Sequence, residues 1–139
     1  MGTLLAHFLL YGALGWCVEI VFTGVCAIVF TGDRTAIGRT SLWMHPIYGI
    51  AGLLMESLYR ALADLPLALR LFVYLCAVYV AEYTSGYLLR RLIGRCPWDY
   101  GVRRWSVHGL IRLDYAPAWL LLCVLIEPAQ AWARTIFGG

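Results

Sequence analysis

Residues 3–31 read TLLAHFLLYGALGWCVEIVFTGVCAIVFT, an apolar run broken by a single acid, Glu19. A helix rises about 1.5 Å per residue and a bilayer's hydrocarbon core is about 30 Å thick, so this stretch is long enough to cross a membrane. It lacks the basic leading region, the short apolar core and the small-residue cleavage site of a signal peptide, and is therefore read as a retained helix. Three further apolar runs follow. With them the spans are expected at about 4–30, 46–63, 67–93 and 115–136, in one membrane domain covering residues 1–139. The fold class expected is an all-α integral membrane protein, a bundle of four transmembrane helices with a structured loop between the third and the fourth.

Composition agrees. The chain is 62% hydrophobic and 14% charged, against roughly half and a quarter in soluble domains. All eleven basic residues are arginine, and eight of them lie in or beside the loops that follow helices one and three, with Arg60, Arg70 and Arg134 on the other side. The positive-inside rule then places loops 1–2 and 3–4 in the cytoplasm. Arginines distributed in this way are not a nucleic-acid patch. Of the five cysteines none forms a C-x-x-C pair and four lie in apolar runs, so neither a disulfide framework nor a zinc site is expected.

Each helix carries one glutamate inside its apolar run: Glu19, Glu56, Glu82 and Glu127. A charge at mid-membrane costs a few kcal/mol, so such residues turn to the bundle interior or to a wet cavity and find partners there. Arg60 lies four residues after Glu56 and is its expected partner, a structural pair. Glu127, next to Pro128, is balanced between packing and function. Counting residues places Glu19 and Glu82 at one level, each about 20 Å from the outer face. Both sit on polar or small stripes of helical spacing: Gly12, Trp16, Glu19, Thr23 and Cys26 in helix one, Tyr79, Glu82, Tyr83, Gly86 and Arg90 in helix three. The two stripes are expected to face one another, because small and hydrogen-bonding residues are what let helices pack in lipid.

The loop before helix four, residues 96–115, reads CPWDYGVRRWSVHGLIRLDY. Its rings suit the headgroup level of a bilayer. Arg112 presents a planar fork for a carboxylate or phosphate, and Asp99 is placed to orient it. The loop is expected to fold back as a lid over a polar pocket formed by Glu19, Tyr48, Glu82, Trp98, Asp99 and Arg112, with Arg39, His45, His108 and Asp114 as secondary members. No H-x-x-x-H, H-E-x-x-H or Glu-x-x-His spacing occurs, so no metal is expected, and no cofactor signature is present.

The stretches Gly15-Trp16-Cys17-Val18-Glu19, Pro46-Ile47-Tyr48-Gly49, Glu82-Tyr83-Thr84-Ser85-Gly86, Cys96-Pro97-Trp98-Asp99-Tyr100 and His108-Gly109-Leu110-Ile111-Arg112-Leu113 resemble, in order and over nearly the whole chain, the transmembrane protein 229 family. They also resemble its bacterial relatives, catalogued as ABC-transporter permease proteins of the CmpB type. The chain departs from the bacterial pattern by reading Trp43-Met44-His45 where Gly-Pro precedes Pro-Ile-Tyr-Gly, and in lacking an asparagine near His108. The resemblance implies a multi-pass protein of the bacterial inner membrane. It implies a separate ATPase partner as well, since the chain has no G-x-x-x-x-G-K-[ST] loop of its own.

Three functions compete at this point. The leading one is a binding or transport-type module for a polar small molecule or lipid headgroup. A membrane-embedded enzyme acting on lipid or isoprenoid substrates would use the paired carboxylates as acid and base, but no nucleophile or metal motif supports it. An accessory subunit would pack against larger membrane proteins. Membrane lipids, and a homo-oligomer or larger complex, are the other expected partners.

Overall fold

The computed structural model describes residues 2–137 and is all-helical apart from one short hairpin. Helix α1 covers Gly2–Cys26 and continues into a π-helical turn, Ala27–Thr31, closed by Gly32 in the left-handed conformation. Helix α2 is Met44–Leu62, α3 is Leu67–Ile93 and α4 is Ala116–Phe137. The chain forms two compact units, the first running to Leu53 and the second being Leu54–Ile136, so that the boundary falls within α2.

Three segments are long and apolar enough to span a membrane: Gly2–Thr31, Leu67–Ile93 and Leu113–Ile136. Their outward residues are apolar: Val21 is 65% exposed, Phe72 63% and Leu121 66%. Faces of this kind suit lipid rather than water. Helix α2, with His45, Glu56, Ser57 and Arg60 among 19 residues, does not qualify.

The helix ends follow local rules. Pro66 caps α3, and its carbonyl accepts the amides of Leu69 and Arg70. Gly94, with φ 77°, terminates α3 where only glycine sits comfortably. After Gly32, the Thr35 amide and hydroxyl both donate to Asp33, which holds that exposed carboxyl below its usual range.

In the first unit, residues 36–48 lie along α1. The Thr23 hydroxyl accepts the Arg39 amide at 2.8 Å, and the Trp16 indole donates to the Ser41 carbonyl at 2.9 Å. His45 packs its ring over Gly12 and against Trp16, and the Tyr48 ring occupies the space that a side chain at Gly15 would need. The small and polar stripe of α1 is thus filled by the segment that follows it.

The core of the second unit is Met55, Tyr74 and Cys123, surrounded by Leu58, Leu62, Leu71, Ala77, Val78 and Ile126 from α2, α3 and α4. Residues 96–113 fold back on α3. Two short strands, β1 (Ser106–Val107) and β2 (Ile111–Arg112), pair antiparallel. They are joined by a turn in which His108 and Gly109 both have positive φ and the Leu110 amide donates to the Val107 carbonyl. A turn with two left-handed central residues matches the twist of a hairpin, and it favours Asn-Gly; here histidine takes the first place.

Candidate binding site around Glu82

The four glutamates separate into two kinds. Glu56 is buried and paired with Arg60, as the four-residue spacing suggests. Glu127 accepts a hydrogen bond from Arg70 Nη2 at 3.1 Å and one from the Tyr74 hydroxyl at 3.2 Å, and Arg70 Nε lies 3.0 Å from its Oε1 as an ion-pair contact. An arginine therefore neutralises each of these two. Glu19 and Glu82 are bound by hydroxyls. Glu19 accepts from Thr40 and Tyr48, both in its own unit. Glu82 accepts the Tyr100 hydroxyl at 2.7 Å through Oε1, whereas its Oε2 is buried and has no partner among the described residues.

The surroundings of Glu82 are built from its own stripe and the loop. One turn earlier, the Tyr79 hydroxyl donates to the carbonyls of Arg112 and Leu113 at 3.2 and 3.1 Å, which fixes the start of α4 against α3. One turn later, Gly86 leaves room for Leu110 and Trp98, whose atoms would lie 2.9 and 3.0 Å from a side chain placed there. The Trp98 indole donates to the Leu110 carbonyl at 2.9 Å, locking the loop to the hairpin. Tyr100, which reaches Glu82, meets Tyr115 edge to face at 5.7 Å, and the Arg112 guanidinium lies 4.1 Å over the Tyr115 ring. Arg112 also donates to the Tyr115 hydroxyl at 3.0 Å and is gripped by Asp114, which raises its already high pKa.

The structure thus gathers Glu82, Trp98, Arg112 and Asp114 in one unit, and Glu19, Tyr48, Arg39 and His45 in the other. Asp114, two residues on, holds the Arg112 fork. Asp99 instead accepts the Gly101 amide at 2.8 Å and approaches Gly109. His108 bonds the Tyr83 hydroxyl at 2.9 Å through Nδ1, and its carbonyl accepts Arg90 at 3.0 Å. Arg39 contributes its backbone to Thr23, and His45 is an aromatic packing residue. Among the described residues no three His, Cys, Asp or Glu side chains are placed to hold a metal.

Three residues of this region are not assigned to the pocket by the sequence. Tyr100 and Tyr115 carry ordinary interface-ring signals, and nothing in their spacing discloses that Tyr100 reaches a carboxylate. Cys96 sits half-buried beside Trp98 and Arg90, and burial pushes its thiol up more than the Trp98 backbone hydrogen bond and the Arg90 charge pull it down. Since the thiolate is the nucleophile, alkylation of Cys96 by iodoacetamide at pH 8 should be several-fold slower than that of a free cysteine peptide. Peptide mapping over a time course checks this.

No solved structure matches the chain. A family model does. The family described as "Putative ABC-transporter type IV" matches residues 6–134, close to the full length of the chain, and the protein belongs to that ABC-transporter-type membrane family.

Proposed function

We propose that the protein is a permease-type subunit of the bacterial inner membrane that binds a polar small molecule or lipid headgroup beside Glu82 and works with a separate ATPase. The observation that carries this is the unpartnered Oε2 of Glu82. A buried polar atom left without a hydrogen bond costs free energy, and a carboxylate inside a membrane segment costs more, so this oxygen is suited to a donor supplied by a ligand. The remaining groups are held by the protein itself. Tyr100 fixes Oε1, Asp114 and Tyr115 fix Arg112, and Trp98 fixes the loop, leaving one free acceptor in a rigid setting.

Glu19 with Tyr48 and Thr40 is the second candidate acid, and Asp99 shapes the loop. Loops 1–2 and 3–4, with most of the arginines, face the cytoplasm in this reading. The absence of a G-x-x-x-x-G-K-[ST] loop from the sequence agrees with an ATPase on another chain.

Native mass spectrometry of the detergent-purified protein tests the proposal, with Glu82→Gln beside wild type. Glutamine keeps the acceptor for Tyr100 and removes the charge. A hydrogen bond to a charged group is worth about 1.5–3 kcal/mol, so the bound species should fall by roughly tenfold or more in the variant. Equal retention of one ligand by both proteins would reduce Glu82 to a packing residue.

A further inference from the structure

Beyond the Glu82 site, the arginine end of α3 holds a second feature. The last turn of α3, the loop and the hairpin enclose a cleft of about 560 Å³, within the size range of small-ligand pockets. Arg90, Arg95, Asp99, Ser106 and His108 line it, together with backbone at Gly94, Gly101 and Gly109. These residues, Arg90 apart, lie in the connection between Leu67–Ile93 and Leu113–Ile136, two segments long and apolar enough to span a membrane.

Two of the lining groups have unused hydrogen-bonding capacity. Arg95 is exposed and makes no hydrogen bond, ion pair or ring contact among the described residues. The Ser106 hydroxyl is buried and has no partner among them. Arg90 is partly committed: one Nη donates to the His108 carbonyl, which aims the guanidinium along the cleft wall. Asp99 is the only acid in the lining, and its Oδ1 is occupied by the Gly101 amide. The cleft therefore offers two guanidinium groups and a hydroxyl against one engaged carboxylate, an excess of donors and of positive charge.

We infer that this cleft binds a phosphate group, with Arg95 and Arg90 as its charged contacts and Ser106 as a neutral donor. A tetrahedral oxyanion with several acceptor oxygens takes up separated guanidinium and hydroxyl donors together, and guanidinium forks match phosphate geometry. Basic pockets at the cytoplasmic ends of membrane helices take phospholipid headgroups on the same physics. The phosphate can belong to a lipid headgroup or to a soluble phosphate ester; the chemistry at the cleft is shared.

Two arms separate these sources. In the first, the protein is placed in phosphatidylcholine nanodiscs doped with phosphatidic acid, and lipid retention is read by native mass spectrometry. In the second, inorganic phosphate is titrated against chloride at matched ionic strength and thermal unfolding is followed. Arg95→Gln and Ser106→Ala are compared with wild type. Arg95 makes no hydrogen bond, ion pair or ring contact among the described residues, so its variant should keep the fold, which circular dichroism checks. Arg95→Gln should weaken the response by about tenfold, the loss of one charge-assisted contact. Selective retention of phosphatidic acid without a phosphate response identifies a lipid headgroup, and the reverse identifies a soluble phosphate. Identical behaviour of wild type, Arg95→Gln and Ser106→Ala in both arms overturns the inference. The inference is separate from the Glu82 reading, because Glu82→Gln should leave both responses intact.

Discussion

Arg70→Ala should destabilise the protein by about 3 kcal/mol, measured by reversible unfolding in mixed dodecylsulfate micelles. Arg70 stands in the first turn of α3 and reaches Glu127 in α4 through two nitrogens, with side chains only 17% and 21% exposed. Removing one member of such a pair leaves the other charge in a low-dielectric setting with only the Tyr74 hydroxyl as its partner among the described residues, and that residual penalty exceeds the strength of the pair itself. Arg70 has a second duty, since its Nη1 donates to the Ala63 carbonyl at 3.1 Å and so satisfies the end of α2. The double variant Arg70→Leu/Glu127→Leu should recover a large part of the loss, because neither charge is then stranded. If the double variant were no more stable than Arg70→Ala, the α2 contact rather than the ion pair would be the main effect.

Gly38→Ala is expected to cost about 1–3 kcal/mol, at the upper end of that range. A methyl group at this position would lie 2.1 Å from the Ile20 carbonyl oxygen and 2.8 Å from its carbon, both backbone atoms of a regular helix that cannot move aside. The loop must lift instead. Lifting it breaks the Arg39 amide bond to Thr23 and draws Thr40 away from Glu19. The variant should therefore lose stability and become more readily cut by trypsin at Arg39. Gly24→Ala, facing the Ala36 carbonyl at 2.9 Å, should show the same behaviour more weakly. Unchanged proteolysis at Arg39 in Gly38→Ala would show that this loop is not anchored through the glycine contact.

The helices were readable because their signal is local. An apolar run long enough to cross a bilayer, a proline at one end and a glycine at the other suffice to bound α3 at Leu67–Ile93, and the structure has the same bounds. The Glu56 and Arg60 pair was readable for the same reason, being one helical turn apart. The π-helical turn at Ala27–Thr31 was not, since an apolar run has no periodic feature that marks one extra residue per turn. The partners of Glu127 lie 57 and 53 residues away in sequence, and no spacing rule connects them. The Glu82 site was legible in part. Its acid, its tryptophan and its arginine stood out as polar or amphipathic residues in costly places. The contact from Tyr100 depends on how the loop returns to α3, and that return is set by Gly86, by the hairpin and by the left-handed turn at His108 and Gly109 acting together. The orienting role expected of Asp99 falls to Asp114 because β2 is extended and directs the Arg112 side chain toward its near neighbour rather than across the loop.

Each acid-bearing stripe is filled by the stretch of chain that directly follows it, Glu19 meeting Thr40 after 21 residues and Glu82 meeting Tyr100 after 18. This has a consequence for biogenesis. During synthesis, α1 enters the bilayer with an exposed carboxyl and needs only the chain through Tyr48, still leaving the ribosome, to provide its hydroxyl partners. The same holds for α3. Short-range closure of this kind is fast compared with long-range assembly, so each nascent acid spends little time unshielded in lipid.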